Sequence, residues 1–163
     1  MYVESLMTTE LKTCSPDDTL HRPAQLMWES DCGFVPVVDS ERRLVGVITD
    51  RDICMAAYTQ GVPLAAASVK SAMSTDVHSC APHATLAHVE ELMRQRRIRR
   101  IPVVDGLGRL LGLITLTDLV RRAQATSPLR RPFRGARIAR ILANVCAPRA
   151  NGGGRSRASA GTD

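Results

Sequence analysis

Aromatic residues are scarce in this chain: two Phe, two Tyr and one Trp among 163 residues, 3% of the whole. Stacking the successive bases of a single strand uses such rings, so platforms of that kind are scarce here and nucleic acid, conceivable through the tail, is not the favoured partner. No run of about 18 or more apolar residues occurs, which excludes a membrane-spanning helix. The opening MYVESLMTTE has neither a basic stretch nor an apolar core, so no secretion signal is expected and the cytoplasm is the expected compartment. The five cysteines, Cys14, Cys32, Cys54, Cys80 and Cys146, are odd in number and lack a Cys-x-x-Cys pair, which reads as free thiols in apolar segments. Among His21, His78, His83 and His88 there is no i, i+4 pair and no cysteine at ligand spacing, so no metal site is expected. No Ser-His-Asp order, HExxH or GxxxxGK[ST] is present. Without a catalytic group in view, the chain is not read as an enzyme, and no cofactor is required.

Lysine is nearly missing as well, two residues against 20 arginines, a skew that a GC-rich genome produces without selection for binding. The net charge of +6 is unevenly divided. Residues 1 to 120 hold 12 basic and 15 acidic side chains, whereas residues 121 to 163 hold 10 and one. The basic character belongs to the tail.

What the chain does have is internal duplication. Shifted by 66 positions, residues 7 to 52 align with 73 to 118 without a gap, with 18 identities in 46 positions. The shared residues include Met7/Met73, Cys14/Cys80, Pro16/Pro82, Thr19/Thr85, Leu20/Leu86, the run PVVD at Pro36 and Pro102, and Gly46/Gly112, Thr49/Thr115 and Asp52/Asp118. Each copy reads as an extended piece, a helix, two strands and a second helix. Thr19 and Thr85 are candidate N-caps, and Pro23 inside the first helix predicts a late start or a bend there. About 50 residues are too few to close a core, so the copies should pack together as a pseudo-symmetric pair. Residues 61 to 72 form a linker with a short helix expected from Ala65 to Met73.

The phrase Gly-x-Ile-Thr-x-x-Asp occurs in both copies, as GVITDRD and GLITLTD. Gly46 and Gly112 allow another backbone or a ligand to come close. Thr49 and Thr115 precede helix starts, where free N–H groups and a hydroxyl suit a phosphate. Asp52 and Asp118, three residues on, can accept both hydroxyls of a ribose diol. The same residues also spell a helix capping box, and duplication copies caps as faithfully as sites.

Taken with the Met-Thr/Ser-Thr at Met7 and Met73, the Ser/Ala-Pro-x-x-Thr-Leu at Ser15 and Ala81, and the Val/Ile-Pro-Val-Val-Asp at Val35 and Ile101, these motifs resemble paired CBS domains, the Bateman module. The resemblance covers residues 3 to about 124. It implies an α+β fold, a tandem pair of β-α-β-β-α units (residues 3–60 and 73–124) with two clefts. It implies an adenosyl ligand such as AMP, ADP, ATP or S-adenosylmethionine, and a stand-alone regulatory role. By that likeness, Asp52 and Asp118 hold ribose, and Thr49 and Thr115 face phosphate or ribose. Thr13 with Cys14, and Ser79 with Cys80, line the adenine, while Val35 with Pro36, and Ile101 with Pro102, form apolar walls. Thr117 joins the second cleft, where copy one has Arg51.

The copies differ just before the Pro-Val-Val-Asp strand. Copy two reads RRIRR from Arg96 to Arg100, and copy one SDCGF from Ser30 to Phe34. In the family, basic residues here commonly reach phosphates, making Arg99 and Arg100 candidates, of which one faces a given cleft because neighbours in an extended segment point oppositely. A solvated Arg cluster at a helix end is the other reading. The copy-two cleft is therefore expected to prefer a phosphorylated ligand.

Beyond residue 125, residues 134 to 146 have the pattern of an amphipathic basic helix, and residues 147 to 163, rich in Gly, Ser and Arg, have the composition of a disordered tail. The helix can dock on its own module, on a partner, or on an anionic surface. The family likeness favours a homodimer through helices, with Leu26, Met27, Trp28, Leu92 and Met93 as core or interface candidates, and an effector protein not identifiable from sequence. The competing class is a ligand-independent scaffold with a nucleic-acid-binding tail.

Overall fold

In the computed structural model the described residues are 1–125 together with Ala139, Leu142 and Ala143. The chain runs α1 (His21–Glu29), β1 (Phe34–Val38), β2 (Leu44–Thr49) and α2 (Asp50–Gln60), then α3 (Leu86–Arg96), β3 (Arg100–Val104), β4 (Leu110–Thr115) and α4 (Leu116–Ala125). The leading strand of each copy shrinks to one bridging residue. Cys14 pairs in parallel with Val37, and Cys80 with Val103.

Both hairpins are antiparallel and share one register. Phe34 lies opposite Thr49 and Arg100 opposite Thr115, with a register shift at Val37/Val38 and at Val103/Val104. A proline in each inner strand lacks a donor, but its carbonyl is used: Cys14 N donates to Pro36 O at 3.2 Å and Cys80 N to Pro102 O at 3.0 Å. The aspartate that ends each Pro-Val-Val-Asp run organises the turn. Asp39 Oδ1 accepts from the backbone N–H of Glu41 and Arg43, and Asp105 Oδ1 from those of Leu107 and Arg109. The two turns meet, with Leu44 N donating to Gly108 O and Leu110 N to Arg42 O, both at 3.0 Å.

The cores are not made from contiguous segments. Thr8 and Leu113 exchange two 2.9 Å backbone hydrogen bonds, as do Ser74 and Val47. Each lead-in therefore extends the hairpin of the other copy. Val3 is fully buried in the copy-two core beside Val89, Met93, Ile101 and Ile114, while Ala67 and Val69 enter the copy-one core beside Leu20, Val35 and Ile48. This crossing supplies the apolar surface that a unit of about 50 residues lacks.

Where the copies diverge, local chemistry explains it. Thr85 caps α3, accepting from His88 N at 3.2 Å, and α3 has eleven residues. Thr19 does not cap α1; the helix begins at His21 with nine residues, and Pro23 falls in its first turn, where no intrahelical donor is needed. The helix expected from Ala65 to Met73 is only a 3₁₀ turn, Val69–Ser71. Ala66 N donates to Pro63 O at 2.8 Å to close a turn, and Ser68, in extended conformation, bridges Thr19 while Leu20 N donates to Ala67 O, so no helix runs on from the turn. Of the core or interface candidates, Leu26, Met27 and Met93 are buried and Leu92 half-buried, but Trp28 is 89% exposed. Among the described residues, no helix is long and apolar enough to cross a membrane. The amphipathic pattern at 134–146 falls outside the described residues except for three helical positions, and the 147–163 tail lies wholly outside them.

Candidate functional site

At the end of β2, Thr49 N and Thr49 Oγ1 both donate to Asp52 Oδ2, at 3.0 and 2.7 Å, while Asp52 N donates back to Thr49 Oγ1 at 3.3 Å. Copy two repeats this at Thr115 and Asp118, with 2.8, 2.6 and 3.3 Å. Each pair is thus a reciprocal capping box. The cap uses only half of each carboxylate. Oδ2 takes both bonds, and Oδ1 of Asp52 and of Asp118 has no hydrogen-bond partner among the described residues. Both aspartates remain partly exposed. The capping role and an outward acceptor coexist on one side chain, beside the free N–H groups of a helix start.

The glycines serve backbone approach. A Cβ on Gly112 would stand 3.0 Å from Thr8 O and 2.7 Å from Met7 Sδ; one on Gly46 would stand 3.1 Å from Ser74 O and 2.9 Å from Met73 Sδ. What comes close is the crossing lead-in.

Around the copy-two cap, Arg100 is the residue opposite Thr115 in the ladder, so their side chains share a face. Its guanidinium lies 5.7 Å from the ring centroid of Phe34, a cation–π contact between copies. Phe34 in turn is opposite Thr49. A row Thr49, Phe34, Arg100, Thr115 therefore links the two caps. Arg99, one residue earlier, is exposed and offers its carbonyl to Leu116 N at 2.8 Å. Of the two arginines, Arg100 is the one placed beside a cap. Phe34 was not among the residues singled out from the motifs, although it is the 66-residue counterpart of Arg100.

Cys14 and Cys80 are buried, and their backbone N–H and C=O are both bonded to the adjacent strand, to Pro36 and Val38 and to Pro102 and Val104. The preceding Thr13 and Ser79 make no such bonds and keep their backbone groups available. Burial, with a smaller push from Asp18, raises the Cys14 thiol to about 12, and burial raises the Cys80 thiol to about 11. Both are neutral at physiological pH and poor nucleophiles. Val35 and Ile101 have no exposed surface, so they back the wall from within the cores, with Pro36 and Pro102 also buried. Thr117 and its counterpart Arg51 are both exposed.

Copy one carries a different electrostatic environment. The Asp50 carboxylate lies against Gly33, where an added Cβ would meet Oδ2 at 2.8 Å. The equivalent positions in copy two are Leu116 and Arg99. One cap is thus flanked by a second acid and the other by arginine. Among the described residues, no group of His, Cys, Asp and Glu is arranged to hold a metal.

A hairpin flanked by two helices, built twice and joined through crossed lead-ins with paired Thr/Asp caps, defines a tandem-repeat α+β module. The CBS domain matches twice, over residues 3–58 and 69–125, and the chain belongs to the CBS-domain family. It is 38% identical over 117 residues to the CBS domain-containing protein YhcV of Bacillus subtilis, covering 72% of this chain and 81% of that protein. It is 34% identical to the inosine-5'-monophosphate dehydrogenase of Methanocaldococcus jannaschii, covering 73% of this chain but 23% of the enzyme. Among solved structures, CBSX2 in complex with AMP superposes with a TM-score of 0.68 at 26% identity, covering 76% of this chain and 96% of that one.

Proposed function

We propose that this CBS pair senses an adenosyl ligand and relays its occupancy to a protein partner, with the copy-two cleft preferring a phosphorylated adenosine. The observation that carries this is the half-used Asp118 carboxylate beside Arg100: an acceptor for a ribose diol and a planar donor for phosphate on one strand end. Similarity to a structure that holds AMP supports the ligand class. In this reading Asp118 accepts the ribose hydroxyls, Thr115 and Thr117 face the sugar–phosphate, Arg100 pairs with phosphate, and Ser79 offers backbone groups to the base. Pro102, backed by Ile101 and Cys80, closes the apolar side. Copy one uses Thr13, Thr49, Asp52 and Pro36 in the same way, but Asp50 opposes a phosphate. Signalling follows from differential affinity. A ligand bridging the cap and the Phe34–Arg100 contact stabilises one arrangement of the copies over another.

Calorimetry with AMP tests this on the Asp118→Asn, Asp52→Asn and Arg100→Ala variants. Arg100→Ala removes a charge-assisted bond worth about 1.5–3 kcal/mol, so a loss of tenfold or more is expected. Asp118→Asn should lose comparably and Asp52→Asn little. Equal losses at the two aspartates would refute the asymmetry. If no adenine nucleotide at about 100 times a micromolar concentration raised the melting temperature, where roughly 2.7 kcal/mol is expected at 100 times the Kd, sensing itself would be refuted.

A further inference from the structure

Residues that touch their own repeat counterparts mark the pseudo-two-fold axis of this chain, because the axis exchanges each with the other. At the turn end of the hairpins, Arg43 bridges its counterpart Arg109, flanked by a matched exchange in which Leu44 N donates to Gly108 O and Leu110 N to Arg42 O, both at 3.0 Å. At the cap end, the contact is Phe34 with its counterpart Arg100. Identical side chains there would set ring on ring or guanidinium on guanidinium. Instead the copies have diverged into a complementary pair, a π face from one and a cation from the other.

The pair is suited to holding a guanidinium still. Phe34 is fixed opposite Thr49 at the start of β1, and its side chain has few rotatable bonds. Arg100, opposite Thr115 at the start of β3, has a long side chain that loses much rotamer freedom when it is immobilised. Both are half-buried. Among the described residues the Arg100 guanidinium has no acid partner, and it rests on the Phe34 ring, with Cζ 5.7 Å from the ring centroid. A carboxylate in place of the ring would also hold the arginine, but would cancel its charge and occupy its fork. The ring supplies no oxygen, so the N–H donors stay available to phosphate oxygens.

We propose that Phe34 of copy one is a positioning residue for the copy-two cleft: it holds the Arg100 guanidinium beside Thr115 and Asp118, and so sets how strongly the module prefers a phosphorylated adenosine to adenosine itself. This rests on the nucleotide reading given above. It makes the copy-two site composite, since its selectivity depends on a ring carried by the other copy. It also accounts for the ring at position 34, because a second guanidinium on the axis would repel the first and leave neither held.

The test is calorimetric titration of AMP and of adenosine into wild type, Phe34→Leu, Phe34→Tyr, Arg100→Ala and the Phe34→Leu/Arg100→Ala double variant. Loss of the ring contact should weaken AMP about two- to fivefold in Phe34→Leu and leave adenosine unchanged. Phe34→Tyr keeps the π face and should bind AMP as wild type does. In the Arg100→Ala background Phe34→Leu should weaken AMP no further, because the ring acts through the guanidinium. Equal losses for AMP and adenosine, or the same AMP loss with and without Arg100, would show that the ring only shapes the cleft and would overturn the proposal. An unchanged AMP affinity in Phe34→Leu would do the same. A wild type that bound neither ligand would instead refute the nucleotide reading, and this assignment with it.

Discussion

Replacing Gly112 with alanine tests whether crossed lead-ins hold the two copies together. The new Cβ would stand 2.7 Å from Met7 Sδ, 3.0 Å from Met7 Cγ and 3.0 Å from Thr8 O. The methionine can swing aside, being unbranched and flexible. Thr8 cannot, because it exchanges two 2.9 Å hydrogen bonds with Leu113, the residue next to the substitution. Accommodating the methyl strains a pair worth about 1 kcal/mol each, within the range of about 1–3 kcal/mol for overpacking. The loss of freedom in the unfolded chain returns about 0.4–1 kcal/mol. A net destabilisation of about 1–1.6 kcal/mol is expected, which at a urea m-value near 2 kcal/mol/M lowers the midpoint by about 0.5–0.8 M. Gly46→Ala, with contacts at 2.9 and 3.1 Å, should fall slightly less, and Gly106→Ala, with nothing within 4 Å, should not fall. A Gly112→Ala midpoint within about 0.2 M of wild type would refute the reasoning. A variant that lost ligand but kept its stability would show that the glycine serves the ligand instead of the backbone.

Two further predictions rest on the caps and the thiols. Asp118→Ala leaves Thr115 N–H and hydroxyl without their acceptor and should cost about 1–2 kcal/mol in urea unfolding without ligand, whereas Asp118→Asn, which keeps an acceptor, should cost less than half of that; no loss in Asp118→Ala would show that the cap contributes nothing. The Cys14 thiol is held protonated up to about 12 against an ordinary 9.0, so its contribution to stability is complete below pH 9 and declines as pH rises from 9 toward 12, when the unfolded chain ionises first. Cys14→Ala should flatten the alkaline fall of the urea midpoint, and in the native protein at pH 8 alkylation should reach the exposed Cys54 well before Cys14 or Cys80. An unaltered alkaline slope in Cys14→Ala would refute it.

The order of elements was legible because the 66-residue register repeats every punctuating residue: the prolines, the turn aspartates and the Thr/Asp caps. The crossing of the lead-ins was not. Residues 3 to 8 and 69 to 74 look alike, so sequence similarity cannot say which hairpin each one joins; the answer lies in backbone bonds between Thr8 and Leu113 and between Ser74 and Val47. The same limit hid the role of the glycines, since a missing Cβ signals close approach without naming what approaches. Two arginines, Arg99 and Arg100, were equivalent by composition, and only the strand register separates them, placing Arg100 opposite Thr115. Phe34 escaped notice because its importance depends on a contact between copies, 5.7 Å from a guanidinium 66 residues away.

The duplicated and the diverged residues divide by task. Gly46 and Gly112, the Pro-Val-Val-Asp strands and both Thr/Asp boxes are matched, and each makes a backbone-level contact that the fold needs in both halves. A pair of identical caps can therefore be explained by folding alone and discriminates poorly between a used cleft and an idle one. The neighbours of the caps are another matter. In the 66-residue alignment Gly33 corresponds to Arg99, Phe34 to Arg100, Asp50 to Leu116 and Arg51 to Thr117, and one of these differences reaches the hydrogen-bonded frame, where Leu116 N donates to Arg99 O. Each changes charge or ring content within a turn of an acceptor that the cap leaves half-used. If the two clefts had kept one ligand, these are the positions where duplication should have been preserved. Their divergence, beside matched Thr/Asp boxes, is the physical ground of the proposal that the two clefts differ in ligand.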